Sequence, residues 1–104
     1  MAKPRTIGIL IFDEVEVLDF CGPFEVFSVA AAQGTPRPFD VLTIGPTREA
    51  VTTRGGLQVI PSTTLAAAPP LDLLLVPGGH GTRALMHDAA IIAWITARAA
   101  TAEL

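Results

Sequence analysis

Cysteine is nearly missing from this chain: Cys21 is the single one among 104 residues. One thiol forms no internal disulfide, so a reducing, cytoplasmic setting is expected. Charge is also scarce, at 16% of residues. The seven basic residues are scattered singly in a chain of net charge −3. That argues against nucleic acid, which requires a basic patch. No apolar run approaches the roughly 20 residues that cross a bilayer, so no membrane span is expected. The start, Met1-Ala2-Lys3-Pro4-Arg5, leads only into the short run from Ile7 to Phe12 before Asp13. Such a run is too short for a secretory segment, and no small-residue cleavage site follows. Metal-ligand spacing is lacking too, because His80, His87 and Cys21 do not make a site.

What is present is apolar. Half the residues are hydrophobic, and the mean hydropathy of +0.51 excludes intrinsic disorder. The length fits one domain of roughly 100–150 residues, or a piece of one. A small enzyme, a ligand-binding domain and an interaction domain remain.

Residues 6–12 form a β-branched apolar run, which reads as a strand buried on both faces. An acidic loop, Asp13-Glu14-Val15-Glu16, follows. Residues 18–32 are helical in pattern, with Pro23 near a first turn and Gly34 past the end. Residues 34–38 read as a turn and 39–44 as a second strand. Residues 51–53 and 57–60 flank Arg54-Gly55-Gly56 as a small hairpin. A loop over 61–70, with a helical turn at 64–67, leads to a third buried strand over 71–76. Pro77-Gly78-Gly79-His80-Gly81 is a tight loop. Thr82 is placed to cap a short helix, and Asp88 a longer one through about Ala102.

This alternation predicts an α/β fold with a flavodoxin-like, doubly wound parallel sheet in a three-layer sandwich. The third strand is expected beside the first, with another strand outside it. A chain ending at Leu104 would leave an apolar strand at the edge, an aggregation hazard. The expectation is therefore one domain over 1–104 that is the N-terminal part of a longer one. The alternative is a small domain completed by dimerisation or by another chain.

Open α/β sheets bind ligands beyond the carboxyl ends of their strands, where the strand order reverses. The segments 13–23 and 77–81 meet there, and they hold the chain's unusual residues. Asp19 reads either as a helix N-cap or as an acid/base group in the crevice. Glu14 and Glu16 share that second reading, against a solvated acidic loop. Cys21 reads as a small buried hydrophobe, with a nucleophile as the alternative. Glu25 is expected to complement the helix dipole. Gly78, Gly79 and Gly81 allow backbone to approach a ligand, with free N–H groups for an anion or oxyanion. His80 reads as a loop residue or a base, and His87 as surface.

Val17-Leu18-Asp19-Phe20-Cys21-Gly22-Pro23-Phe24-Glu25-Val26-Phe27, followed later by Asp72-Leu73-Leu74-Leu75-Val76-Pro77-Gly78-Gly79-His80-Gly81, resembles the ThiJ/PfpI superfamily of class I glutamine amidotransferase-like proteins. The similarity is greatest to the branch holding isonitrile hydratases and the sensor domains of AraC-type regulators. It extends through Thr53-Arg54-Gly55-Gly56-Leu57 and covers nearly the whole chain. The resemblance implies a flavodoxin-like fold, a homodimer, and a cysteine nucleophile on a strand-to-helix elbow. Asp19 matches the carboxylate that faces that cysteine, and Gly79 matches the oxyanion donor, with His80 beside it at the substrate. The family nucleophile falls after Leu104, and Cys21 does not match it.

Two function classes follow. One is a cysteine-dependent, cofactor-free hydratase or hydrolase that converts an isonitrile to an N-substituted formamide, with Asp19 as proton relay. The other is a non-catalytic small-molecule sensor domain of an AraC-type regulator. A third reading is a half-domain that works only with a partner chain.

Overall fold

The computed structural model describes residues 4–34, 36 and 38–104. Thr35 and Arg37, in the turn expected over 34–38, lie outside the described residues. The elements run β1 (Arg5–Leu10), α1 (Val17–Gln33), β2 (Phe39–Gly45), β3 (Val51–Thr52), β4 (Gln58–Val59), β5 (Thr63–Thr64), β6 (Leu73–Leu75), α2 (Thr82–Leu85) and α3 (Ala89–Thr101).

β1 is central because it is apolar without alternation. Ile7, Ile9, Leu10, Ile11 and Phe12 are all buried. It pairs in parallel with β2 on one side, Ile7 opposite Val41, and with β6 on the other, Ile7 opposite Leu73. The sheet order is β5-β2-β1-β6. The chain moves outward from β1 through β2 to β5, then returns to β1's other side. The order therefore reverses between β1 and β6, as the α/β reading expects. The core adds Val15, Phe20, Ile44, Leu71, Leu85 and Ile91. Among the described residues no helix is long and apolar enough to cross a membrane.

Several boundaries move. α1 begins at Val17, so Pro23 is a helix-interior residue, not a first-turn one. Proline has no N–H, so the helical bond to the carbonyl of Asp19 cannot form. Glu25 then lies too deep in α1 to act on a dipole that is felt only in the terminal turns. Within 61–70, Thr63–Thr64 is a two-residue strand paired with Ile44 and Gly45, which the loop reading missed. The expected turn follows it, with the Ala67 N–H donating to the Thr64 carbonyl at 3.2 Å. Thr82 does not cap α2; it is its first residue, and its hydroxyl donates to the Gly79 carbonyl at 2.8 Å. Asp88 does cap α3, accepting from the Ile91 N–H at 3.1 Å.

The third strand is shorter than 71–76. The Asp72 carboxylate replaces a backbone partner, accepting the Thr6 N–H at 2.8 Å. On the outer edge of β6 the Leu74 N–H donates to the Leu104 carbonyl at 2.9 Å, and Leu104 N–H donates to the Asp72 carbonyl at 3.2 Å. These two bonds form the pattern of a parallel pair between Leu73 and Leu104. The edge is thus covered at its start by residues that follow α3.

Candidate functional site

Three segments converge at the carboxyl ends of β1 and β6. The first is the acidic loop after β1. Glu14 takes φ +66°, an uncommon left-handed conformation for a residue with a side chain. It is held there from two sides. Its N–H donates to the Thr52 carbonyl at 2.8 Å, and its own carbonyl accepts from the Gly81 N–H at 3.4 Å. The second segment is the hairpin. The Thr52 N–H donates to Asp13 Oδ1 at 2.9 Å, and the Arg54 N–H donates to the Val15 carbonyl at 3.1 Å. Buried Thr53 closes the hairpin through its hydroxyl to the Leu57 carbonyl at 2.8 Å.

The third segment is Pro77-Gly78-Gly79-His80-Gly81. Val15 and Gly79 form an antiparallel bridge, with the Glu16 N–H donating to the Gly78 carbonyl at 3.1 Å. Gly79 has φ +129°, and a β-carbon there would lie 2.6 Å from the Glu14 carbonyl oxygen. Only glycine fits both demands. In a bridge of this register the Gly79 N–H points away from Val15, and no hydrogen bond uses it among the described residues.

Asp19 is where the two readings of the sequence divide. α1 starts after Glu16, so Asp19 is its third residue, not its cap. Its N–H donates to the Glu16 carbonyl at 3.1 Å, while its carboxylate makes no hydrogen bond among the described residues. Asp19 Oδ2 lies 3.0 Å from the point where a Gly78 side chain would begin. The exposed carboxylate therefore lies against the Gly78 backbone, and Asp19 is not among the residues that line the neighbouring crevice. Of its two apolar neighbours, Phe20 turns into the core and Leu18 is 77% exposed.

A crevice of about 520 Å³ opens beside this contact, lined by Glu16, Arg54, Gly79, His80, Thr82 and Arg83. His80 is exposed at its wall. Glu16 lines it, while Glu14 contributes backbone bonds instead. Cys21 is half-buried and packs against the core. His87 is exposed at the turn after α2. Sequence reading missed Arg54 and Arg83 at this crevice. For Arg54 the available signal was its place before Gly55-Gly56 at the hairpin tip. For Arg83 there was none beyond its nearness to His80.

The arrangement offers a carboxylate free of structural bonds, an unspent backbone donor and a water-accessible cleft with cationic walls. The sequence matches the DJ-1/PfpI family over residues 5–103. It is 35% identical over 96 residues to an isonitrile hydratase of Pseudomonas putida, covering 92% of this chain and 40% of that protein. A Streptomyces lividans protein, described as the uncharacterized product of a cpoL 5′ region, is 34% identical over 75% of this chain and 54% of its own. Among solved structures, a ThiJ/PfpI family protein from Pseudomonas syringae superposes with a TM-score of 0.79 at 27% identity, covering 96% of this chain and 40% of its own. The chain thus spans about half or less of the length of these relatives. Its sequence, its parallel sheet and the loops at the reversal of strand order agree: this chain belongs to the DJ-1/PfpI family.

Proposed function

We propose that this chain carries the acid–base portion of a cysteine-dependent isonitrile hydratase. The reading is supported by its similarity to the Pseudomonas putida enzyme. The observation that carries it is the Asp19 carboxylate, unspent in capping and lying against the Gly78 backbone, next to Gly79. The nucleophile is a thiolate supplied from outside these 104 residues, since Cys21 packs against the core.

The thiolate attacks the terminal carbon of the isonitrile, forming a C–S bond. Protonated Asp19 gives its proton to that carbon, and an enzyme-bound thioimidate results. The Asp19 carboxylate then takes a proton from water, whose oxygen adds to the same carbon, and passes that proton to the nitrogen. As the C–S bond breaks, the hydroxyl proton returns to Asp19, which releases the N-substituted formamide and restores the thiolate and the protonated Asp19. The net change is addition of one water to the isonitrile. This sequence uses no metal or organic cofactor. The Gly79 N–H stabilises negative charge that develops on the oxygen, and such donors act most strongly when fixed in advance. His80, on the crevice wall, contacts the substrate.

The test is Asp19→Asn in the complete natural polypeptide, assayed against a simple alkyl isonitrile. Asparagine keeps the shape but relays no proton, so kcat falls by roughly 10²–10⁴ while the melting temperature holds. Wild-type kcat in that variant removes Asp19 from the chemistry. Ligand binding without turnover in the wild type favours the sensor-domain reading.

A further inference from the structure

Five arginines lie among the described residues, and their partners differ. Arg5 pairs with Glu103 at 3.3 Å. Arg98 donates to the Pro69 and Ala68 carbonyls at 2.8 Å each and lies over the Trp94 ring. Arg48, Arg54 and Arg83 have no ion pair and no side-chain hydrogen bond among the described residues. Arg48 lies outside this crevice, whereas Arg54 and Arg83 both line it beside Gly79 and reach it from separate elements, the hairpin tip and α2. In a chain of net charge −3, this is a local excess of positive charge, with Glu16 the one carboxylate in the lining.

We infer that Arg54 and Arg83 bind a carboxylate borne by the small molecule that occupies this crevice. The inference rests on the proposed site and names its substrate class: a short isonitrile or formamide carrying a carboxylate at the end away from the reacting carbon. Three observations carry it. The residues that line it bring two guanidinium charges against one carboxylate, Glu16, and Asp19 is not among them, so an excess of positive charge remains. A singly charged group balances that excess, whereas a doubly charged phosphate would overfill it. The volume of about 520 Å³ holds a small ligand that reaches from the arginines to Gly79. The planar guanidinium also matches a carboxylate in a two-point hydrogen-bonded geometry.

The test uses the complete natural polypeptide and two formamides of similar size, titrated by calorimetry. N-formylglycine carries the carboxylate and N-propylformamide does not. N-formylglycine is expected to bind roughly tenfold tighter or more, as charge-assisted bonds allow. The Arg54→Gln, Arg83→Gln double variant should erase that preference, and Arg54→Lys, Arg83→Lys should restore part of it. Melting temperature controls for folding. Equal binding of the two ligands by the wild type overturns the inference. Failure to bind N-formylglycine, or a preference that survives in the glutamine variant, does the same. Turnover of ethyl isonitrile is measured separately. No turnover with the carboxylate preference intact rejects the hydratase reading and leaves the anion site standing. Turnover without that preference does the reverse.

Discussion

A carboxylate in the first turn of a helix usually has a structural use. It accepts a backbone N–H or complements the dipole. In this chain Asp88 accepts such a bond as the N-cap of α3, whereas Asp19, in the first turn of α1, accepts none, and the difference is measurable. Asp88→Ala removes the bond to the Ile91 N–H and should destabilise the fold by about 1 kcal/mol. Asp19→Ala removes no hydrogen bond and should shift stability by less than about 0.5 kcal/mol. Thermal or urea unfolding of the two variants decides this. An equal loss in both would return Asp19 to a structural role. The glycine against Asp19 is a second probe. In Gly78→Ala the new methyl would lie 3.0 Å from Asp19 Oδ2 and push the carboxylate aside. Turnover should fall at least tenfold, in line with the sensitivity of catalysis to misplacement by about 1 Å. The melting temperature should change little, because a flexible side chain can yield. Unchanged kcat in that variant would show that the position of the carboxylate is not critical. The sequence alone placed Asp19 in the crevice segment and near the start of its helix, but left open whether it caps that helix. The start of α1 is set by the tertiary bridge between Val15 and Gly79, which no local pattern reveals.

Elements that carry their own signal were readable in advance. β1 announces itself through a continuous apolar run, β2 through apolar and β-branched residues ended by Gly45-Pro46, and α3 through the Asp88 cap ahead of an apolar stretch. β5 was not readable, because two threonines gain strand geometry only from the edge of β2. The loop around β5 is held instead by α3. Trp94 Nε1 donates to the Leu65 carbonyl at 2.9 Å, and Arg98 grips the Ala68 and Pro69 carbonyls. These contacts span 29 or 30 residues of sequence, so no local window contains them. They also tie the irregular stretch between β5 and β6 to α3. Trp94→Phe keeps the ring packing but loses the indole bond, leaving the Leu65 carbonyl without that donor. It should cost about 0.5–1.5 kcal/mol. Hydrogen exchange should rise most across residues 63–68 if the strap works as described. A uniform rise over the whole sheet would mean that Trp94 supports the core generally and not this loop.

For the molecule as a whole, the outer edge of β6 decides how these 104 residues behave alone. The strand is apolar, Leu73-Leu74-Leu75, and Val76 directly after it is 43% exposed. Among the described residues, bonds from outside the ladder reach its edge only at Asp72 and Leu74, from Glu103 and Leu104. Leu104 itself is 81% exposed, so this cover is thin. An apolar edge with partial cover is a template for pairing with another chain. Burying one such side chain is worth roughly 1.5–3 kcal/mol, against a total stability of about 5–15 kcal/mol. Residues 1–104 expressed alone should therefore associate through this edge, be insoluble or melt without cooperativity. Light scattering and thermal unfolding test this directly. Val76→Lys places a charge on the same edge and should reduce the association, as lysines do on natural edge strands. Association unchanged by Val76→Lys would move the contact elsewhere on the molecule. A parent chain that is monomeric with a sharp transition would show that Glu103 and Leu104 protect the edge well enough. The same preparation should not hydrate an alkyl isonitrile, because Cys21 is turned toward the core. Turnover that disappears in Cys21→Ser would make Cys21 the nucleophile and complete the site within these residues.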